Sequence, residues 1–192
     1  MNKKWLAGIA VWGMLLSGAV AQGLPVYEST GSIELSVDGK QSTYYTTSNT
    51  VPNEPQRMVH TASWKVFPPM MLGGINMAPP GVFVSLVAQP GVEPDSAAPQ
   101  LKITFSVDET SHTLLESAPF EVVYTVKEGE LAGVYQHASG SLQIESVTPG
   151  GNDVLQIKGR ATGTLAAKGK GKKNVGQPLN YQAEFTVQAH PQ

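Results

Sequence analysis

From Gly31 onward, apolar and polar residues alternate along the chain, and glycine, proline, asparagine and aspartate interrupt the alternation at short intervals. The clearest case runs from Leu101 to Val107, where every second residue is apolar. A repeat of two residues places all the apolar side chains of a segment on one face of a β-strand. No stretch keeps the 3.6-residue repeat of an amphipathic helix over several turns. The sequence therefore predicts an all-β protein.

Turn residues indicate how the strands connect. Asp38-Gly39 separates two β-rich stretches, and the run from Pro149 to Asp153 separates two more, so each pair is predicted to form a hairpin. Strands at such short spacing pair antiparallel, because parallel strands need long crossovers. We therefore predict a single antiparallel β-sandwich, or a partly closed barrel, of about 8–10 strands. Beyond the first hairpin, strands are predicted at 59–67, 82–88, 101–107, 120–127, 139–147, 154–166 and 179–189.

The first 21 residues have the pattern of a signal peptide. Lys3 and Lys4 precede a mostly apolar stretch that ends at Leu16 and is too short to span a bilayer. Ala19-Val20-Ala21 then matches the small-x-small site of signal peptidase. Cleavage after Ala21 would leave 22–192 as one β domain without a transmembrane segment, exported to the periplasm or the cell exterior. Its ordered core is expected at about 31–189, after a loose lead and before a short tail at 190–192.

Composition and motifs argue against several classes of enzyme. The chain has no cysteine, which excludes thiol catalysis, thiolate metal sites and disulfides. It contains no nucleophile elbow, no zinc-protease motif and no EF-hand loop. Two carboxylates at a fixed separation would suit glycoside hydrolysis, but that separation is spatial and the sequence does not give it. The candidate acids are Asp108, Glu109, Glu116, Glu121, Glu128 and Glu130.

One segment carries candidate metal ligands. The methionines that follow the signal peptide all lie within 58–77, together with His60. Thioether and imidazole groups suit Cu(I), so the candidate ligands are Met58, His60, Met70, Met71 and Met77. The competing interpretation is that these methionines fill irregular gaps, or that the Pro-Met-Gly stretch 68–81 is an adaptable loop. The four histidines are far apart in the sequence, so each is expected to be isolated.

A second segment carries candidate anion contacts. Acidic residues predominate as far as Asp153, whereas Glu184 is the only acid after it. Four lysines interleaved with glycine follow a predicted strand, and they are suited to an anionic surface such as phospholipid, lipopolysaccharide or acidic glycan. No aromatic residue lies among them to stack on bases, so no nucleic-acid partner is expected. The competing interpretation is a solvated loop whose charge prevents edge pairing. The lysines are Lys168, Lys170, Lys172 and Lys173.

Together these patterns favour an exported, non-enzymatic β protein that needs no cofactor. It would act by binding or structural association at the cell envelope, with a protein or an anionic envelope component as its partner. A periplasmic Cu(I) carrier that uses the Met/His segment is the alternative. A hydrolase that uses the acidic residues is the third interpretation.

Overall fold

The computed structural model describes residues 24–52, 54–72, 75–78, 80–115, 118–127, 132–168 and 177–192, and for 55–57, 70–72 and 75–78 it describes the backbone alone. These parts of the chain contain twelve strands and one 3-10 turn at Gly151–Asp153. The strands are β1 (Val26–Val37), β2 (Lys40–Val51), β3 (Glu54–His60), β4 (Ala62–Phe67), β5 (Met70–Leu72), β6 (Ile75–Ala78), β7 (Gly81–Ala88), β8 (Gln100–Asp108), β9 (Glu121–Val126), β10 (Gly133–Pro149), β11 (Leu155–Ala167) and β12 (Leu179–Pro191).

Ten of the strands form one sheet in the order β11-β10-β9-β8-β7-β4-β12-β1-β2-β3, and β5 and β6 form a separate pair. β11 also pairs with β12, so the sheet curls back on itself and becomes partly ring-like. All the pairs of this sheet are antiparallel except a short parallel one between β4 and β12. The prediction of an all-β, mainly antiparallel fold is confirmed, and the curled sheet is consistent with either a β-sandwich or a partly closed barrel.

The hydrophobic core lies on the concave side of this sheet. Along β12 every second residue from Leu179 to Ala189 is buried and the residues between them are exposed. Phe185 of β12 lies opposite Phe105 of β8, with ring centroids 6.3 Å apart. Each fully buried large apolar side chain stabilises the fold by about 1.5–3 kcal/mol relative to exposure. The alternation read from the sequence therefore corresponds to inward and outward faces.

β12 is held along both of its edges. One edge pairs with β11 from Leu179 to Ala189, and the other pairs with β1 from Tyr181 to Val187. Beyond these pairs, residues 190 and 191 pair with Ser63 and Trp64 of β4. The amide N–H of Gln192 then donates to the carbonyl oxygen of Trp64 at 2.9 Å. Residues 190–192 were predicted to be a tail, whereas they are fixed on β4.

The long hairpin of β10 and β11 contains two glycines that face each other. Gly140 of β10 is the register partner of Gly163 of β11. Gly140 has φ +140°, and a Cβ atom added there would lie 2.0 Å from the carbonyl oxygen of Thr162. Only glycine allows the two backbones to approach this closely.

The structure differs from the predicted strands in several places, and three of them change the pairing or the start of the sheet. The predicted strand 59–67 is interrupted at Thr61, whose N–H donates to the carbonyl oxygen of Thr47 and whose carbonyl oxygen accepts from Val87. Thr61 thus marks the point where the chain stops pairing with β2 and begins to pair with β7. The stretch 68–81, predicted as a loop, contains the short pair β5–β6. β1 begins at Val26, within the segment predicted to be a loose lead.

Candidate functional site

The candidate metal ligands are divided between described and undescribed side chains. Met58 and His60 are two residues apart on β3, so they lie on the same face of that strand. Met58 is 44% exposed, and His60 is half-buried. Met70 and Met71 belong to β5 and Met77 to β6, but their side chains lie outside the described part of the structure.

The structure places His190 beside His60, which the sequence spacing did not predict. The imidazole rings of His60 and His190 are stacked, with centroids 3.8 Å apart and planes inclined by 2°. The expectation that each histidine is isolated is therefore wrong for this pair, because β12 extends past Ala189 toward β3 and β4. The Nδ1 atom of His60 is buried and has no hydrogen-bond partner among the described residues. We call His60 and His190 the histidine pair.

Both rings of the histidine pair favour the neutral form. Burial lowers the pKa of His60, and the neighbouring His190 lowers that pKa further. Burial also lowers the pKa of His190. Because the ordinary pKa of histidine is about 6.5, both imidazoles are uncharged at pH 7 and have a free lone pair.

These lowered pKa values predict that acid destabilises the protein. His137 behaves like the histidine pair, since burial lowers its pKa as well. Below about pH 6.5 the histidines of the unfolded chain become protonated, whereas those of the folded chain become protonated only at lower pH. The free energy of unfolding should therefore fall as the pH is lowered from 6.5 through the folded pKa values. Melting temperatures between pH 7.5 and 5 measure this effect, and His190→Gln should weaken the dependence. A melting temperature that is unchanged over this range would contradict the prediction.

The candidate acids are not gathered into a described site. Asp108 accepts hydrogen bonds at Oδ1 from the N–H of Ser111 (2.7 Å), the N–H of Thr110 (2.9 Å) and the hydroxyl of Ser111 (3.0 Å). These bonds lower the pKa of the carboxyl, with the Ser111 backbone contributing most. Asp108 thus fixes the turn after β8. Within the described ranges, no three His, Asp or Glu side chains come together to hold a metal ion. Glu116, Glu128 and Glu130 lie outside the described residues.

Of the four candidate lysines, only Lys168 is described. It follows β11 directly and is exposed, and its N–H donates to the carbonyl oxygen of Val134 at 2.7 Å. Lys170, Lys172 and Lys173 lie outside the described residues. Lys168 shows that the basic segment starts at the end of the sheet where β11 ends and β12 begins.

A pocket at this same end of the sheet was not predicted from the sequence. It has a volume of about 130 Å³, and we call it the tyrosine pocket. Its lower part is formed by the buried side chains of Leu35, Val37 and Tyr44, whereas its mouth is formed by exposed residues of β2. The full lining is Leu35, Val37, Lys40, Ser42, Tyr44 and Tyr124.

The position of the mouth follows from the strand repeat. Lys40, Ser42 and Tyr44 occupy alternate positions of β2, so all three lie on the face that is directed inward. Their exposure decreases from Lys40 to Tyr44, which is 2% exposed. Two polar residues at inward positions are the signal by which the sequence could have indicated an opening in the core.

Two phenols meet at the base of the tyrosine pocket. The hydroxyl of Tyr44 donates to the hydroxyl oxygen of Tyr124 at 3.3 Å, and the two rings meet edge to face at 6.5 Å. Burial raises the pKa of Tyr44 above its ordinary value, and the bond to Tyr124 raises it further. The hydroxyl of Tyr44 is therefore neutral at pH 7. A neutral phenol hydroxyl both donates and accepts hydrogen bonds.

Further aromatic contacts lie inside the same sheet. Tyr135 lies beside Tyr124 with ring centroids 6.4 Å apart. The hydroxyl of Tyr181 is 2.9 Å from Nδ1 of His137, and burial raises the pKa of Tyr181 to about 12. The ring of His137 lies 4.3 Å from that of Phe120. Tyr44, Tyr124 and Tyr135 therefore form one run of ring contacts, whereas Tyr181 contacts His137.

No family model matches the chain, and no curated protein or solved structure is significantly similar to it. Among the residues that the structure describes, no helix has the length and apolar character needed to cross a membrane. Two places in the described part of the structure combine side chains from separate strands with a free donor atom or an open volume. These are the histidine pair and the tyrosine pocket.

Proposed function

We propose that this chain is an exported, non-enzymatic binding protein of the cell envelope that takes a small anionic, partly apolar ligand in the tyrosine pocket. The observation that carries the proposal is the inward-facing row Lys40, Ser42, Tyr44. This row leads from an exposed ammonium group to a buried phenol beside an open volume of about 130 Å³.

The lining of the pocket defines the chemistry of its ligand. Leu35 and Val37 offer apolar walls, and the hydroxyl of Tyr124 lies at the base with that of Tyr44. The ammonium of Lys40 favours a negative group at the mouth, where a charge-assisted hydrogen bond remains partly hydrated. A cavity of about 150 Å³ accommodates benzene, so the buried part of the ligand would have about six heavy atoms. A carboxylate with a short alkyl or aryl group meets these requirements.

Charge at the same end of the molecule supports an anionic ligand. Tyr181 of β12 pairs with Val37 of β1, so the Lys40 turn lies beside the start of β12. The Asp38 N–H donates to the carbonyl oxygen of Asn180 at 2.9 Å and fixes the turn there. The basic segment that begins at Lys168 joins β11 to this start of β12. Lys40 and Lys168 therefore both lie at this end of the molecule, which favours a ligand whose anionic group extends from the mouth.

Export is the remaining part of the proposal, and it is supported by the sequence alone. The basic start, the short apolar stretch and the Ala19-Val20-Ala21 site at residues 1–21 precede the first described residue. An envelope location would expose the protein to lipid-derived and glycan-derived acids. A native mass spectrum of the protein purified from its own compartment would show a retained ligand of this kind.

Replacing Lys40 should distinguish the contribution of the ligand's charge to the binding affinity from that of its apolar part. Lys40→Gln should weaken binding of hexanoate by about tenfold, because a hydrogen bond to a charged group contributes about 1.5–3 kcal/mol and the mouth is partly hydrated. Binding of hexanamide should not change. Isothermal titration of both compounds gives the two affinities, and Lys158→Gln on an exposed position of β11 is the matched control. Equal hexanoate affinities for Lys40→Gln and the wild type would contradict the proposal.

A further inference from the structure

We infer that the histidine pair, with Met58, forms a Cu(I) site that closes the junction between β3 and the end of β12. This site is separate from the tyrosine pocket and does not depend on the function proposed for that pocket. Its ligands would be one imidazole from each strand and one thioether from β3. The structural observation behind the inference is the contact of His60 with His190, which the sequence spacing does not indicate.

The donor atoms are of the kind that Cu(I) prefers. Thioether and imidazole groups bind Cu(I) well, whereas Zn²⁺ in proteins is usually held by four ligands that include thiolate or carboxylate. The chain has no cysteine, and the described acids do not gather with the histidines. Met58 and His60 are separated by two positions of a strand, which is about 6.6 Å along β3. Their side chains can therefore reach one ion from the same face.

The state of His60 also favours a metal ligand. Its Nδ1 atom is buried and makes no hydrogen bond to any described residue. A buried polar atom without a partner destabilises the fold, so a bond to a metal ion at this nitrogen would remove an existing penalty.

One adjustment is needed for both rings to bind the same ion. In the stack the ring planes are inclined by only 2°, so the lone pairs of the two imidazoles run parallel and do not converge. Rotation of the His190 ring about its Cβ–Cγ bond corrects this, since that torsion has broad minima. His190 and Pro191 lie beyond the residues of β12 that pair with β11, so the ring rotates without breaking that pairing.

The location gives metal binding a structural consequence. β4 and β12 pair over two residues only, His190 with Ser63 and Pro191 with Trp64. An ion held by His60 and His190 would add a cross-link next to this short pair. Ligands that bind only the folded state raise its stability in proportion to the logarithm of their concentration. Cu(I) should therefore raise the melting temperature of the full chain.

The test is an anaerobic titration of the purified protein with Cu(I) in competition with a chromophoric Cu(I) chelator, followed by thermal unfolding of each sample. We expect the wild type to bind one Cu(I) with submicromolar affinity and to melt at a higher temperature with Cu(I) than without it. His190→Ala should weaken the affinity at least tenfold and reduce the rise in melting temperature at the same Cu(I) concentration. Met58→Leu, which conserves volume, should weaken the affinity without changing the melting temperature of the metal-free protein.

Two controls make the result specific to this site. His112→Asn removes an imidazole from the turn after β8, where φ is +55° and asparagine is tolerated, and it should bind Cu(I) as the wild type does. A variant with Met70, Met71 and Met77 all changed to leucine should also retain the affinity. Wild-type affinity weaker than micromolar would overturn the inference. It would also be overturned if His190→Ala binds as tightly as the wild type, or if the triple leucine variant loses all binding.

Discussion

Gly140→Ala should lower the free energy of unfolding by about 3–5 kcal/mol, because the new methyl group combines a forbidden backbone conformation with a collision. Residue 140 has φ +140°, and its Cβ would lie 2.0 Å from the carbonyl oxygen of Thr162 and 2.6 Å from the Cα of Gly163. Both atoms belong to the backbone of β11. Backbone in the middle of a paired strand cannot move aside as the end of a side chain can.

Urea denaturation followed by far-UV circular dichroism measures the change. The matched control is Gly151→Ala in the 3-10 turn, where an added Cβ has no neighbour within 4 Å. This control should stay within about 0.5 kcal/mol of the wild type. If Gly140→Ala and Gly151→Ala unfold at the same urea concentration, the close approach of β10 and β11 is not a requirement of the fold.

Phe185→Ala should also cost about 3–5 kcal/mol, in this case through a cavity. Phe185 is 2% exposed and faces Phe105 across the core. Its ring also covers Gly159, since a Cβ at that glycine would lie 2.7 Å from Cζ of Phe185. The aromatic ring thus fills a space that no other side chain occupies, and its removal leaves atoms of β8 and β11 without contacts.

The control for this substitution lies on the opposite face of the same strand. Gln188→Ala changes an exposed residue of β12 and should shift the free energy of unfolding by less than about 0.5 kcal/mol. Phe185→Leu retains much of the volume and should lose clearly less than Phe185→Ala. Equal losses for Phe185→Ala and Gln188→Ala in the same denaturation experiment would show that the core is not centred on this ring.

The strands were predictable where one face of the sheet is buried and the other is in water. β12 alternates from end to end, and its predicted range 179–189 matches all but the last two residues of Leu179–Pro191. β8 was placed almost correctly by its apolar residues, although Thr104 and Ser106 between them are buried as well. The break at Thr61 could not be predicted. At Thr61 the chain changes its pairing partner, but a threonine inside an unbroken strand has the same polarity. The sequence pattern is therefore the same in both cases.

The candidate sites were predictable only in part, because they depend on long-range pairing. Met58 and His60 could be identified from local composition, whereas His190 reaches His60 only through the pairing of β12 with β4. The tyrosine pocket depends on the approach of Tyr44 in β2 to Tyr124 in β9. Local periodicity gives the face on which each side chain lies, but not which distant strand that face meets.

The position of β12 also determines when this sheet can assemble. Ribosomes make β12 after the other eleven described strands, yet it lies between β11 and β1, and its pairing joins Gly31 to Val187. Until β12 has been synthesised, β11 and β1 lack the strand that pairs with both of them. Much of the core then lacks the buried side chains of β12 that pack against it. Contacts between segments so distant in sequence form slowly. The growing chain should therefore stay open and accessible to chaperones until β12 has been made, and a cut before Leu179 should remove the fold rather than trim it.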